Sequence, residues 1–139
     1  MNLAGKVLVV TGSDGALGQA VASTLSRYGA RLALLSHARE PAAGAPRGAA
    51  QYGGVDLTRE DAARAVMQRV AGDAGRLDGL INIAGGFRFE KLAGGTAAAW
   101  DSMYQLNVRT AVVACQAALP FLPQSGGGRI VNVGAWGAL

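Results

Sequence analysis

The chain has 139 residues, half of them hydrophobic and 16% charged, enough apolar material to bury the core of an ordinary domain and too little charge for a disordered chain. Thirteen basic residues against nine acidic ones give a formal charge of +4, but the arginines are scattered (Arg27, Arg31, Arg39, Arg47, Arg59, Arg64, Arg69) and form no basic run, so a mildly basic surface is expected and no nucleic-acid partner. No apolar stretch approaches the roughly 20 residues of a membrane span, so no membrane partner is expected. The apolar run Val7–Val10 after Lys6 is too short for the h-region of a secretory leader, so none is expected. Cys115 is the single cysteine, so no internal disulfide can form, which fits a cytoplasmic setting.

The apolar, β-branched run Val7–Val10 predicts a strand covered on both faces. It breaks at Gly12, Gly15 and Gly18, and a helix then runs from Ala16 to Tyr28 with Leu17, Ala20, Val21, Thr24, Leu25 and Tyr28 on one stripe and Gly29 just past its end. Arg31–Leu35 is a second strand, His37–Ala50 a loop rich in Ala, Gly and Pro, and Gln51–Val55 a third strand ending at Asp56. Thr58-Arg-Glu-Asp61 resembles a capping box, opening a helix with Ala62, Val66, Met67 and Val70 on one face. Leu77–Ala84 predicts a fourth strand followed by Gly85 and Gly86. Thr96 then caps a long helix through Trp100, Met103, Leu106, Val113 and Ala117, which Pro120 and Pro123 end. A turn at 126–128 leads into a fifth strand, Arg129–Val133. Strands alternating with helices imply parallel pairing and right-handed crossovers, hence an α/β, doubly wound sheet of order 3-2-1-4-5 in one domain spanning 1–139. A ligand is expected beyond the carboxyl ends of strands 1 and 4.

Glycine spacing of the G-x-x-G-x-x-G kind also serves plain turns, but here a strand precedes it and a helix follows, the setting that presents backbone N–H groups to a diphosphate. After strand 2, Ser36 stands where an acid usually holds the ribose 2′-OH of NAD, and Arg39 could reach the 2′-phosphate of NADP, so the cofactor expectation leans to NADP over NAD. Asp14 reads as a turn-forming residue, His37 as a solvated loop residue and Cys115 as a small buried hydrophobe. Trp100 reads as helix packing; Trp136 stands either over a pocket or at an oligomer contact.

Thr11-Gly12-x-x-x-Ala16-Leu17-Gly18 resembles the Thr-Gly-x-x-x-Gly-x-Gly signature of the short-chain dehydrogenase/reductase family. Four further motifs follow in order: Asp56, where the family sets an Asp against adenine; Asn82-Ile-Ala-Gly85, like the family's Asn-Asn-Ala-Gly; Asn107, at the family's catalytic Asn; and Gly128-Arg-Ile-Val-Asn-Val133, like its fifth strand. The resemblance implies a Rossmann-like fold and hydride transfer between NAD(P)H and a carbonyl or alcohol. It implies a cofactor site of Thr11, Gly12, Ser13, Asp14, Gly15, Ala16, Leu17, Gly18, Ser36, Arg39, Asp56, Leu57, Asn82, Ala84 and Gly85, with no metal. Three departures stand against it: Ala16 for the middle Gly, Ile83 for the second Asn, and Ala135 at the position of the catalytic Ser. The family's Tyr-x-x-x-Lys pair is absent from these residues, since Tyr28, Tyr52 and Tyr104 are followed four positions on by Leu32, Asp56 and Val108. A phenol of pKa about 10 without a lysine beside it is a poor base at neutral pH. Asn107 is then either the one remaining member of the catalytic set or a helix residue satisfying local backbone groups. The chain is accordingly expected to bind NAD(P) with little catalysis of its own, and to lack the family's later strands. The alternatives are a nucleotide-binding regulatory module or a fragment of a longer dehydrogenase. An apolar strand 5 at the sheet edge (Ile130, Val131, Val133) predicts a homo-oligomer.

Overall fold

The computed structural model describes residues 2–40, 43–123 and 127–135; Gly126 of the expected turn and Trp136 lie outside the described residues. Five parallel strands form one sheet: β1 (Val7–Thr11), β2 (Arg31–Leu35), β3 (Ala50–Tyr52), β4 (Gly79–Asn82) and β5 (Arg129–Asn132), in the order β3-β2-β1-β4-β5. The helices are α1 (Ala16–Arg27), α2 (Glu60–Ala74), α3 (Ala97–Tyr104) and α4 (Thr110–Ala118). The doubly wound α/β sheet expected from the alternation is the fold observed.

Period-two alternation divides the core. On one face Val7 and Val9 of β1, Ala33 and Leu35 of β2 and Leu80 of β4 pack against Val66, Met67 and Val70 of α2 and Val113, Ala114 and Ala117 of α4. On the other face Val10, Leu32 and Leu34 meet Ala22 of α1, with Leu8, Leu25 and Ile81 partly buried around them. β1 is covered on both sides because every one of its side chains has a helix to meet, which is why its run is apolar without alternation.

Four sequence expectations are corrected. The buried face of α1 is Gly18 and Ala22, with Leu25 half-buried, and not the stripe of Leu17, Ala20 and Tyr28; Leu17 is 50% and Tyr28 44% exposed. The helix docks through its smallest residues because its first turn must lie close to the glycine turn. β3 and β4 are shorter than their apolar runs. Gly53 and Gly54 end β3, and the chain turns back so that the Gly54 N–H donates to the Ala38 carbonyl at 2.8 Å. The capping box is not formed: Arg59 is the N-cap of α2 and provides no side-chain cap, and the Thr58 N–H and hydroxyl are instead taken by Asp56 Oδ1, at 2.9 and 2.6 Å. Last, the long helix runs unbroken from Ala97 to Ala118 but is not α-helical throughout. Gln105–Arg109 is a π-helical turn in which the Thr110 N–H reaches five residues back to the Gln105 carbonyl. Thr96 does cap α3, accepting from the Ala99 N–H at 3.3 Å.

At the end of the sheet away from the ligand side, Asp78 joins β1 to β4. Its carboxylate accepts from the Val7 N–H at 2.9 Å, from Arg76 at 2.6 and 2.8 Å, and from Lys6 at 3.2 Å. Burial alone would raise this carboxyl, but Arg76, the Val7 N–H and Lys6 together outweigh it and hold its pKa at about 2.

Candidate functional site

The site is assembled where β1 and β4 end side by side. Leu8 to Val10 pair in register with Gly79 to Ile81. One position further on, Thr11 Oγ1 accepts from both the Ile83 and the Ala84 N–H groups, each at 3.0 Å. Thr11 is fully buried, so its role is to fasten the two strand ends together. Gly12 turns the chain with φ +64°, and a Cβ there would lie 2.8 Å from the Ala84 backbone. Gly18 is required by approach rather than by φ: its Cβ would collide with the Gly12 carbonyl oxygen. The two glycines therefore hold the turn down on the sheet and the helix down on the turn.

Gly15 is the N-cap of α1, in an extended conformation, with no side-chain cap and no acid in the first turn. The first helical N–H groups have no acceptor within the helix, and the helix dipole adds partial positive charge there. The Ala16 side chain is exposed, so the fold itself does not crowd its methyl. A diphosphate fits this end by the chemistry of its donors: backbone N–H groups, glycines that admit close approach, and no competing carboxylate in the first turn.

The remaining residues singled out from the sequence divide in two. Ser13 is buried and donates through its hydroxyl to the Leu35 carbonyl at 3.1 Å, tying the turn to β2. Leu57 is buried in the α2 core, so it can offer a ligand only backbone. Asn82 is also buried and donates to Asn132 Oδ1 at 2.8 Å and to Cys115 Sγ at 3.3 Å, bracing β4 against β5 and α4. Cys115 is thus half-buried and hydrogen-bonded, not simply a packed hydrophobe. The second group faces outward: Asp14, Ala16, Leu17, Arg39, Ala84 and Gly85 are exposed or half-exposed around the turn and the loop after β4. Asp56 lies past β3, where the Thr58 hydroxyl, and after it the Thr58 N–H, hold its carboxyl below the usual carboxylate range. Ser36 is buried at the end of β2, donates its hydroxyl proton to Asp14 Oδ2 and accepts from the Ala38 N–H at 3.0 Å.

Asn107 sits in the π-helical turn. Its Oδ1 accepts from the Gly86 N–H at 2.9 Å and its Nδ2 donates to the Met103 carbonyl at 3.0 Å. The carboxamide thus positions the loop after β4, and a Cβ on Gly85 would lie 2.7 Å from its Oδ1. Between this loop, α3 and the end of β5 opens a cleft of about 940 Å³, lined by Leu17, Gly85, Phe89, Trp100, Met103, Asn107 and Ala135 among others. Periodicity assigned Trp100 to helix packing, yet it is 58% exposed at the cleft wall. Phe87 and Phe89 also line the cleft, and their signal in the sequence is two aromatics within three residues of Gly85-Gly86, in a chain with few. Ala135 does stand at the cleft, with no hydroxyl to present.

Among the described residues no helix is long and apolar enough to cross a membrane, and no cluster of His, Cys, Asp and Glu could hold a metal ion.

Comparison with known proteins agrees with this geometry. The profile of the short chain dehydrogenase family matches residues 6–138. The D-threitol dehydrogenase of Mycolicibacterium smegmatis is 33% identical over 98% of this chain and 55% of its own length. The D-xylose 1-dehydrogenase of Caulobacter vibrioides is 32% identical over 96% of this chain and 55% of its own. Among solved structures, the ligand-free aldohexose dehydrogenase of Thermoplasma acidophilum superposes with a TM-score of 0.86 at 25% identity, covering 96% of this chain and 50% of that one. The chain spans about half the length of the curated relatives it matches. The order of its strands, the glycine turn beneath α1 and the extent of this match all lead to one conclusion: the chain belongs to the short chain dehydrogenase family.

Proposed function

We propose that these 139 residues form a nicotinamide dinucleotide site with little hydride-transfer activity of their own. The observation that carries the reading is the uncapped N-terminus of α1, held by Gly12 and Gly18 against the loop that begins at Ile83. The backbone around Gly15 to Gly18 takes the diphosphate. Asp56 and the Leu57 backbone lie toward the adenine, and Ala84 and Gly85 line the nicotinamide side. The bound dinucleotide supplies a hydride donor or acceptor, and the cleft beside Asn107 receives a carbonyl or alcohol. The chain offers no acid–base pair there: Ala135 has no hydroxyl, and no tyrosine in the sequence has a lysine four residues on. In its place Asn107 orders the backbone at Gly86. Arg39, taken alone, favours NADP, on the rule that a cation near the end of β2 receives a 2′-phosphate; the preference between the two forms also depends on the acid that Asp14 brings to the same strand end. Exposed Trp100, Tyr104, Val112 and Val131 support self-association, and the single cysteine fits a cytoplasmic setting.

Calorimetry of the purified chain with NAD and with NADP tests the reading. Saturable binding of at least one is expected, with no carbonyl reduction above background. A flat titration with both at millimolar concentration overturns the site, and vigorous reduction sensitive to substitution of Asn107 overturns the lack of catalysis.

A further inference from the structure

We infer that Asp14, from inside the glycine turn, supplies the acidic partner of the adenosine ribose and sets the chain to take NAD in preference to NADP. The inference rests on the dinucleotide reading above and deepens it by naming the group that chooses between the two forms.

Discrimination in sheets of this kind is made at the carboxyl end of the second strand, where an acid accepts a hydrogen bond from the ribose 2′-OH. In this chain that position is Ser36, which carries no charge. Its backbone is fixed on both sides: the Ser36 N–H donates to the Tyr52 carbonyl at 3.0 Å, and its carbonyl accepts from Val55 at 2.9 Å. Its hydroxyl has one proton, and that proton goes to Asp14 Oδ2. Ser36 therefore brings a carboxylate to the end of β2 although the strand itself has none. Asp14 is also held through its main chain, since Gln19 Nε2 donates to the Asp14 carbonyl at 2.8 Å. Both the origin and the direction of the carboxylate are thus determined before any ligand arrives.

A carboxylate accepts about four hydrogen bonds. Ser36 takes one of these sites, and a charge-assisted bond from a ribose hydroxyl to another is among the stronger kinds. A 2′-phosphate brings up to about two negative charges to the same place and meets like charge. The cations of the adjoining turn do not reverse this. His37 is exposed and within electrostatic reach of Asp56. Arg39 is exposed, and its stem runs beside Gly54, with Cγ 3.6 Å from where a Cβ of that glycine would lie. Ser36 and Arg39 alone lean to NADP, because a rule applied to the residues after β2 has no place for an acid delivered from the turn after β1.

The test is calorimetric titration of the chain and of its Asp14→Asn and Asp14→Ser variants with NAD and NADP, at one low ionic strength where exposed charges are least screened. Thermal unfolding of each variant confirms that it is folded. The unaltered chain is expected to bind NAD about tenfold or more tighter than NADP. Asp14→Asn keeps the side-chain shape and a hydrogen bond to Ser36, so it should strengthen NADP, weaken NAD a few-fold and bring the ratio near unity. Tighter binding of NADP by the unaltered chain, or an unchanged ratio in folded Asp14→Asn and Asp14→Ser, overturns the assignment to Asp14 while leaving the dinucleotide site intact. Failure of the unaltered chain to bind either form overturns the site itself, and this inference with it.

Discussion

Replacing Thr11 by Val tests whether the two central strand ends are fastened by a hydroxyl or only by the sheet. Valine keeps the volume and the β-branch of a fully buried residue and removes only Oγ1. Two N–H groups, those of Ile83 and Ala84, lose acceptors at 3.0 Å. A buried donor left without a partner costs about 1–3 kcal/mol. Both residues are half-buried, so water reaches part of each group and the lower end of that range applies, about 1–1.5 kcal/mol each and about 2–3 kcal/mol for the pair. The added buried methyl returns about 0.8 kcal/mol, leaving a net loss of roughly 1.5–2 kcal/mol, a sizeable part of the 5–15 kcal/mol typical of a folded domain. Thr11→Ser provides the comparison: it keeps the acceptor and loses one methyl, about 1 kcal/mol. Urea unfolding should order the proteins as unaltered chain, then Thr11→Ser, then Thr11→Val. Amide exchange should show Ile83 and Ala84 protected in the first two and faster in the third. Thr11→Val as stable as Thr11→Ser, with both amides still protected, would refute the reasoning.

Three further substitutions have outcomes fixed by the geometry. Gly12→Ala places a methyl 2.8 Å from the Ala84 backbone at φ +64°, so a loss of about 3 kcal/mol and of dinucleotide binding is expected. Gly15→Ala, extended and with its Cβ 3.5 Å from the nearest atom, should change stability little; chemical unfolding of both variants distinguishes them. Asp78→Asn should destabilise the chain at pH 7 by roughly 1–2 kcal/mol, since the carboxyl is held at about 2 against an ordinary 3.8 but two of its partners, Lys6 and Arg76, are 47% and 40% exposed to solvent. A folded pKa lowered in this way gives stability that is complete above pH 3.8 and disappears as pH falls through about 2. The difference between Asp78→Asn and the unaltered chain should therefore close between those values in urea titrations, and a difference independent of pH would count against the clasp.

Local pattern was sufficient for the architecture. Val7–Val10 reads as a doubly covered strand from its run of β-branched residues, and alternation of strand and helix leaves few topologies other than 3-2-1-4-5. The glycine turn was legible for the same reason: the φ of +64° at Gly12 and the approach of Gly18 to the Gly12 carbonyl are demands made within seven residues of chain. What pattern could not supply was any group defined by a partner distant in sequence. The π-helical turn at Gln105–Arg109 leaves the hydrophobic period almost unchanged, so nothing announced that Asn107 would reach the Gly86 N–H. Trp100 shows the same limit, since a helical stripe says which residues share a face and not what that face meets. The pairing of Asp14 with Ser36 joins residues 22 apart, from two different strand ends. Chain order announced a candidate anion-binding turn through short-range sterics of glycine. Which charge stands beside that turn depends on how two parallel strands bring their carboxyl ends together, and only the folded sheet does that.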